Sequence, residues 1–185
     1  MRSDNVLILI GASASGKTEI AKELINNYNM NKMITYTTRE KRENEINGID
    51  YHFISEAKFL ELKSQNFFIE TSIYNHTYYG TSFKQAKDDK VLIVDINGAN
   101  NINKHNINSN IYVYLHTLEN IREERMAERN DKPSDIKKRL IMDKKVFDEN
   151  LLDKIDLKVD TSNHTTKELA KTIYEFYIKK IRELL

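Results

Sequence analysis

Cysteine is missing from this chain of 185 residues, and proline occurs only once. The first absence excludes disulfides, thiolate metal sites and cysteine nucleophiles together, and it suits a reducing compartment. No stretch reads as a linker or an internal repeat. No apolar run comes near the roughly 20 residues that a membrane-spanning helix needs, and the first residues carry no signal-peptide pattern. An excess of charge of one sign is also lacking. The 29 lysines and arginines stand against 28 acidic residues, a formal net charge of +1, so there is no electrostatic ground for nucleic-acid or membrane partners. The expectation is one soluble, cytoplasmic α/β domain, monomer or homodimer, whose partners are small molecules. Asparagine, isoleucine and lysine are abundant, as in Asn100 to Asn108, and no function follows from that.

Glycine is scarce, with five in the chain, and two of them fall in one stretch of eight, Gly11-Ala12-Ser13-Ala14-Ser15-Gly16-Lys17-Thr18. The apolar run Val6 to Ile10 precedes it and the helix-like Glu19 to Ile25 follows. The spacing G-x-x-x-x-G-K-[ST] between a buried strand and a helix is that of a phosphate-binding loop. Gly11 and Gly16 let the backbone turn tightly and approach a polyphosphate, with backbone N–H groups and the helix N-terminus facing the anion. Lys17 supplies a point charge for the β- and γ-phosphates, and the Thr18 hydroxyl is placed to ligand Mg²⁺.

Further along, Lys32 to Tyr36 reads as a second strand ending in the polar, arginine-bearing stretch Thr37 to Glu45, a natural place for function. Tyr51 to Ile54 is a short strand, and Ser55 caps a helix through Phe59, Leu60 and Leu62. Phe67 to Tyr74 and Tyr78 to Thr81 form a hairpin across Asn75-His76-Thr77. Ser82 is expected to cap a short helix through Gln85 and Ala86. Val91 to Ile96, interrupted by Asp95, and Ile111 to His116 are buried strands of the parallel-sheet kind. Leu118 to Arg129 is helical, Asn130 to Ser134 breaks it at the single proline, and a charged helix follows from about Asp135 to Asp148. Ile155 to Asp160 is the last strand, and from Thr165 a helix carries Leu169, Ile173, Phe176 or Tyr177, and Ile181 on one face. Strands alternating with helices behind a phosphate loop predict a three-layer P-loop NTPase fold with a parallel central sheet and ligands at the strand carboxyl ends.

Arg39 and Arg42, three apart, can aim two guanidinium forks at one phosphate, although alone they read as solvated surface arginines. They do not stand alone. The string Thr-Thr-Arg-x-x-Arg-x-x-Glu-x-Asn-Gly-x-Asp-Tyr-x-Phe from Thr37 to Phe53, with Tyr78-Tyr79-Gly80-Thr81-Ser82, resembles guanylate kinase, a P-loop nucleoside monophosphate kinase family. The resemblance spans nearly the whole chain. It implies a core of residues 1–34, 82–125 and 149–185, a small mainly-β NMP-binding insertion at 35–81 and a helical lid at about 126–148. It implies Mg²⁺-dependent transfer of the γ-phosphoryl of ATP to GMP or dGMP. The acceptor phosphate falls to Arg39, Arg42, Tyr51 and Tyr79, and the guanine to Glu70, Thr35 and Thr81, with Gly80 beside them. Such a carboxylate accepts from guanine N1–H and N2–H together, whereas adenine leaves it unpaired. Lys17, Arg129 and Arg139 meet the charge of the transition state, and Asp95 orients Mg²⁺ through water. Arg125 is a further candidate.

Some positions depart from the family pattern. Ala12 replaces a usual proline, Ile93 a usual aspartate two residues before Asp95, and Asn75-His76-Thr77 a usual His-Gly-Asn. The lid is about one residue short, and Val159-Asp160-Thr161 stands where an asparagine contacts adenine in the family. Two other readings stay open. One is a related kinase with another phosphorylated acceptor, suggested by Ile93. The other is a non-catalytic guanylate kinase-like protein-binding module, against which the intact Lys17 and Thr18 stand.

Overall fold

The structure is a computed structural model and describes residues 5–82, 89–105 and 110–184. In chain order its elements are β1 (Val6–Gly11), α1 (Lys17–Tyr28), β2 (Asn31–Lys32), β3 (Tyr36–Thr37), β4 (His52–Phe53), α2 (Glu56–Ser64), β5 (Phe68–Tyr74), β6 (Thr77–Ser82), β7 (Lys90–Val94), α3 (Ile96–His105), β8 (Ile111–His116), α4 (Glu119–Glu128), α5 (Pro133–Val146), β9 (Leu157–Asp160) and α6 (Thr166–Leu184). A 3₁₀ turn, Glu149–Leu151, precedes β9.

The unbroken apolar run of β1 makes it the centre of a five-stranded sheet in the order β2-β7-β1-β8-β9, with every pair parallel. Such a strand must be covered on both faces, and its alternate residues divide between two cores. Leu7 and Leu9 pack with Ile20 and Leu24 of α1 and with Leu169, Ile173 and Tyr177 of α6. Val6, Ile8 and Ile10 pack with Ile96, Ala99 and Ile102 of α3. The result is a helix–sheet–helix sandwich, and each fully buried Leu or Ile contributes about 1.5–3 kcal/mol of transfer free energy. Among the described residues no helix is long and apolar enough to cross a membrane.

A second sheet, in the order β4-β3-β6-β5, stands off the carboxyl end of this sandwich. Its hairpin is closed by Asn75 and His76, both at positive φ (49° and 59°), as a tight turn between strongly twisted strands requires. Ser55 caps α2 as expected, its hydroxyl accepting from the Lys58 N–H at 3.2 Å.

Local readings of the sequence are corrected at two places and sharpened at others. The expected strand from Lys32 to Tyr36 is two strands in two sheets, because Met33 dives into the main core while Tyr36 pairs with Gly80 in the second sheet. Ser82 ends β6, and the short helix expected through Gln85 and Ala86 lies outside the described residues. Strand β7 stops at Val94, and Asp95 caps α3 by accepting the Gly98 N–H at 2.7 Å. That helix, not expected from the sequence, takes in Asn100 to His105 of the asparagine-rich segment; its signal is Ile96, Ala99 and Ile102 on one face. Within α6, where the pattern left Phe176 or Tyr177 open, Tyr177 is fully buried in the core and Phe176 packs against it partly buried.

Candidate active site

The phosphate loop forms because β1 runs out against β8. A Cβ on Gly11 would lie 2.7 Å from both the Leu115 carbonyl and the Ser15 hydroxyl, so only glycine fits there. Gly16 takes the left-handed conformation (φ 91°) that starts α1. Lys17 folds back over its own loop, donating to the Gly11 carbonyl at 2.5 Å and the Ala12 carbonyl at 2.7 Å, with the Ser15 hydroxyl at 3.4 Å. Burial lowers its pKa to about 8, opposed by the nearby Asp143 carboxylate. Thr18 is exposed at the first turn of α1. Outside the loop, residues 14–19 and Arg125, Glu128 and Arg129 line a pocket of about 270 Å³.

A second cavity, of about 140 Å³, lies between the two sheets. Thr35, Tyr51, Glu70, Ser72, Tyr74 and Tyr79 line it from the small sheet and its approaches, Ile93, Val94 and Asp95 from the end of β7, Phe147 from the segment after α5, and Ser13 and Lys17 from the phosphate loop. Lys17 therefore borders both pockets. Glu70 is buried. Its Oε1 accepts from the Thr81 hydroxyl at 2.6 Å, while its Oε2 is buried with no partner. Burial, with Asp95 adding, pushes its pKa up to about 7. Gly98 keeps this corner open: a Cβ there would lie 3.2 Å from Glu70 Oε2 and 3.1 Å from Val94 Cβ. Burial also pushes Tyr51 up to about 12, and raises Asp95, whose carboxylate is held by the Gly98 N–H and the Ser72 hydroxyl.

Arg39, Arg129 and Arg139 are paired with carboxylates. Arg39 pairs with Glu45 at 2.6 Å and sits 5.5 Å from the Tyr51 ring, while Glu45 also accepts the Arg42 N–H at 2.8 Å. Arg129 and Arg139 share Asp131, at 3.4 Å and 2.9 Å. The Arg129 pKa is lowered by burial, with Asp131 opposing and Arg42 and Arg139 adding. Of the residues expected at the acceptor, Thr35, Tyr51, Glu70 and Tyr79 line the cavity. Arg39, Arg42 and Thr81 do not line it, although Thr81 bonds Glu70 and Arg39 sits against Tyr51, and Gly80 serves packing, since a Cβ on it would meet the Phe68 ring at 2.9 Å.

Arg125 is fully committed: it donates to the Ala14 carbonyl at 3.2 Å and the Thr161 carbonyl at 2.7 Å. Thr161, in the segment that departs from the family pattern, donates to the Ser15 carbonyl at 3.1 Å and so braces the loop. Tyr74, Arg122 and Asp143 went unnoticed in the sequence. They meet Ser13 in one buried cluster, in which burial and Asp143 keep Tyr74 protonated. In charged helices Arg122 and Asp143 look like solvated residues. The available signal was that Asp143 continues the stripe Ile136 and Leu140, all three buried.

Mg²⁺ is typically held by one or two protein oxygens, phosphates and water. The residues present fit that pattern: the Thr18 hydroxyl is exposed beside the loop, Asp95 lies nearby in the field of Lys17, and no cluster of three histidines or carboxylates occurs among the described residues.

A family model described as Guanylate kinase matches residues 3–176. The guanylate kinase of Sulfurimonas denitrificans is 31% identical over 177 residues, covering 91% of this chain and 84% of that protein. That of Helicobacter pylori is 32% identical over 145 residues, 74% of this chain and 70% of that one. Among solved structures, a guanylate kinase from Anaplasma phagocytophilum superposes with a TM-score of 0.68 at 21% identity, over 97% of this chain and 87% of that one. A gluconokinase from Sinorhizobium meliloti follows at 0.53 and 14%, over 100% of this chain and 97% of that one. At these identities the two structures speak for the fold alone, an α/β P-loop fold with a parallel central sheet. With a phosphate loop bordering two pockets and a family match over nearly its whole length, this chain belongs to the guanylate kinase family.

Proposed function

We propose that this protein transfers the γ-phosphoryl group of ATP to GMP, and to dGMP, giving ADP and the nucleoside diphosphate. The observation that carries the choice of base is Glu70. Its unpaired Oε2 borders a cavity that also contains the phosphate-loop lysine. A buried acceptor without a donor is costly, and guanine supplies two donors, N1–H and N2–H, on one edge. Adenine supplies neither at that place and leaves the carboxylate unpaired. Thr81 holds the other oxygen of Glu70, and Thr35 borders the base beside it.

On this reading the acceptor phosphate takes Arg39 from Glu45 and gains Arg42, Tyr51 and Tyr79 as further donors. The triphosphate binds over Gly11 to Thr18 at the start of α1 and draws Lys17 away from the loop carbonyls. Arg129 and Arg139 exchange Asp131 for phosphate oxygens as residues about 126–148 close as a lid over the core, excluding water. Positive charge then surrounds a loose phosphoryl transition state, for which no general base is needed. Thr18 and, through water, Asp95 would hold Mg²⁺, which supplies further neutralisation of the β- and γ-oxygens. Residues 35–81 serve as the acceptor region, and the protein works in the cytoplasm as a monomer or homodimer. ADP release measured with ATP and GMP, dGMP, AMP and ribose phosphates tests the proposal: GMP is the best acceptor, and a better one among the others rejects it.

A further inference from the structure

Asp143 has no task in the transfer scheme, yet it is the most heavily engaged carboxylate near the site. Its side chain is fully shielded from solvent in the last turn of α5. Oδ2 accepts from the Ser13 backbone N–H at 3.0 Å and from Arg122 Nη1 at 2.6 Å. Oδ1 accepts from the Tyr74 hydroxyl at 2.8 Å and lies 3.3 Å from the Ser13 hydroxyl. Ser13 Oγ and the Tyr74 oxygen are themselves 3.0 Å apart, and Arg122, nearly as buried as Asp143, reaches the Ser13 carbonyl at 3.5 Å. Burying an ion pair is costly, and apolar side chains of equal volume commonly hold two helices as firmly or more so. Helix packing alone therefore does not account for a carboxylate at this position. A carboxylate does what an apolar group cannot: it fixes the directions of several donors at once.

Those donors belong to the separate parts of the reaction centre. Ser13, with Lys17, is a residue of the phosphate loop that borders the acceptor cavity. Tyr74 ends β5, the strand that carries Glu70. Arg122 belongs to α4, which leads into Arg129, and Asp143 lies one helical turn beyond Arg139 on α5. Phosphoryl transfer depends on holding donor and acceptor in line, and an error of about 1 Å can cost on the order of 10²-fold in rate.

We infer that Asp143 is a positioning residue for phosphoryl transfer, which by gathering Ser13, Tyr74 and Arg122 on one carboxylate sets the separation of the phosphate loop from the acceptor strand and the reach of Arg139. It touches neither nucleotide and acts through the Ser13 backbone and the Tyr74 hydroxyl. The inference rests on the proposed transfer from ATP to GMP.

Four variants test it: Asp143→Asn, Tyr74→Phe, these two combined, and the double replacement Arg122→Leu/Asp143→Leu. Each is followed by steady-state ADP release, thermal melting and amide hydrogen exchange at Ser13. Tyr74→Phe keeps its ring and lowers kcat about tenfold, with both KM values within about twofold and an unchanged melting temperature. Added to Asp143→Asn, it lowers kcat by less than about twofold more, because both changes break one assembly. The double replacement regains the melting temperature that Asp143→Asn loses, while kcat stays at least about tenfold below the parent and the Ser13 amide exchanges faster. Parental kcat in the double replacement or in Tyr74→Phe, or unchanged exchange at Ser13, overturns the inference while leaving the transfer reading intact. A parent protein without turnover on GMP overturns both.

Discussion

On the donor side of the site, Lys17 has three oxygens of its own loop within 3.4 Å, whereas on the acceptor side Glu70 keeps a buried oxygen with none. The donor-side arginines resemble the lysine: Arg129 and Arg139 already hold Asp131. On the proposed transfer, the cations that would follow the phosphoryl group are parked on internal acceptors, and each can exchange one partner for another without an unpaired interval. Glu70, proposed to read the base, is instead held by Thr81, has room beside Gly98 and bears the cost of burial, which pushes its pKa up to about 7. Exchange suits groups that must move, and a fixed orphan suits one that must discriminate.

The sharpest way to break this contrast is Lys17→Ala. We expect kcat to fall about 10³-fold, measured by ADP release, because transition-state charge is left uncompensated. The melting temperature of the unliganded protein should stay level or rise, since a buried ammonium with lowered pKa opposes folding. A large loss of melting temperature would instead make Lys17 a structural staple.

Glu70→Gln is next in size. Losing a charged acceptor for two guanine donors should raise the GMP KM about 10–100-fold and shrink the preference over AMP, with kcat at saturation less affected. Parental discrimination would remove Glu70 from base reading.

The pH dependence gives a subtler measure of the same carboxylate. With its pKa raised to about 7, Glu70 is mostly protonated at about pH 6 and mostly ionised at about pH 8. The GMP KM should therefore rise about tenfold as pH falls across that interval. Stability runs the other way: a raised carboxylate pKa favours the unliganded fold below the usual carboxylate range, and that advantage is lost as pH rises through about 7. Melting temperatures should decline from about pH 5 to 8, with a smaller decline in Glu70→Gln.

The smallest effect is expected from Asp131→Asn. Freeing Arg129 and Arg139 from a partly exposed carboxylate should lower the ATP KM about two- to threefold at low salt and vanish at high salt. A raised KM would mean that Asp131 helps to aim the arginines.

What the sequence revealed depended on how local each signal was. The phosphate loop is eight contiguous residues between a strand and a helix, and β1, β8 and the cap at Ser55 followed from runs and spacings within a few positions. The split near Met33 escaped because an apolar residue passing between two sheets looks the same as one inside a strand. Helix α3 was hidden by asparagines, poor helix formers that only its packing against β1 overrides. At the site, resemblance supplied Glu70 and the arginines, while the unpaired Oε2 and the shared Asp131 emerged only in three dimensions. Asp143 lies 130 positions from Ser13, a separation that periodicity cannot bridge.

Phe147 lies under this machinery, with the Lys17 ammonium 5.7 Å above its ring and the Tyr74 ring 6.1 Å away. Because the chain contains no tryptophan, a Phe147→Trp replacement would place a single indole where lysine, phosphate loop and acceptor strand meet. Its fluorescence would then follow departure of the lysine toward a nucleotide, giving a direct optical record of ligand arrival in a protein that is otherwise dark in that window.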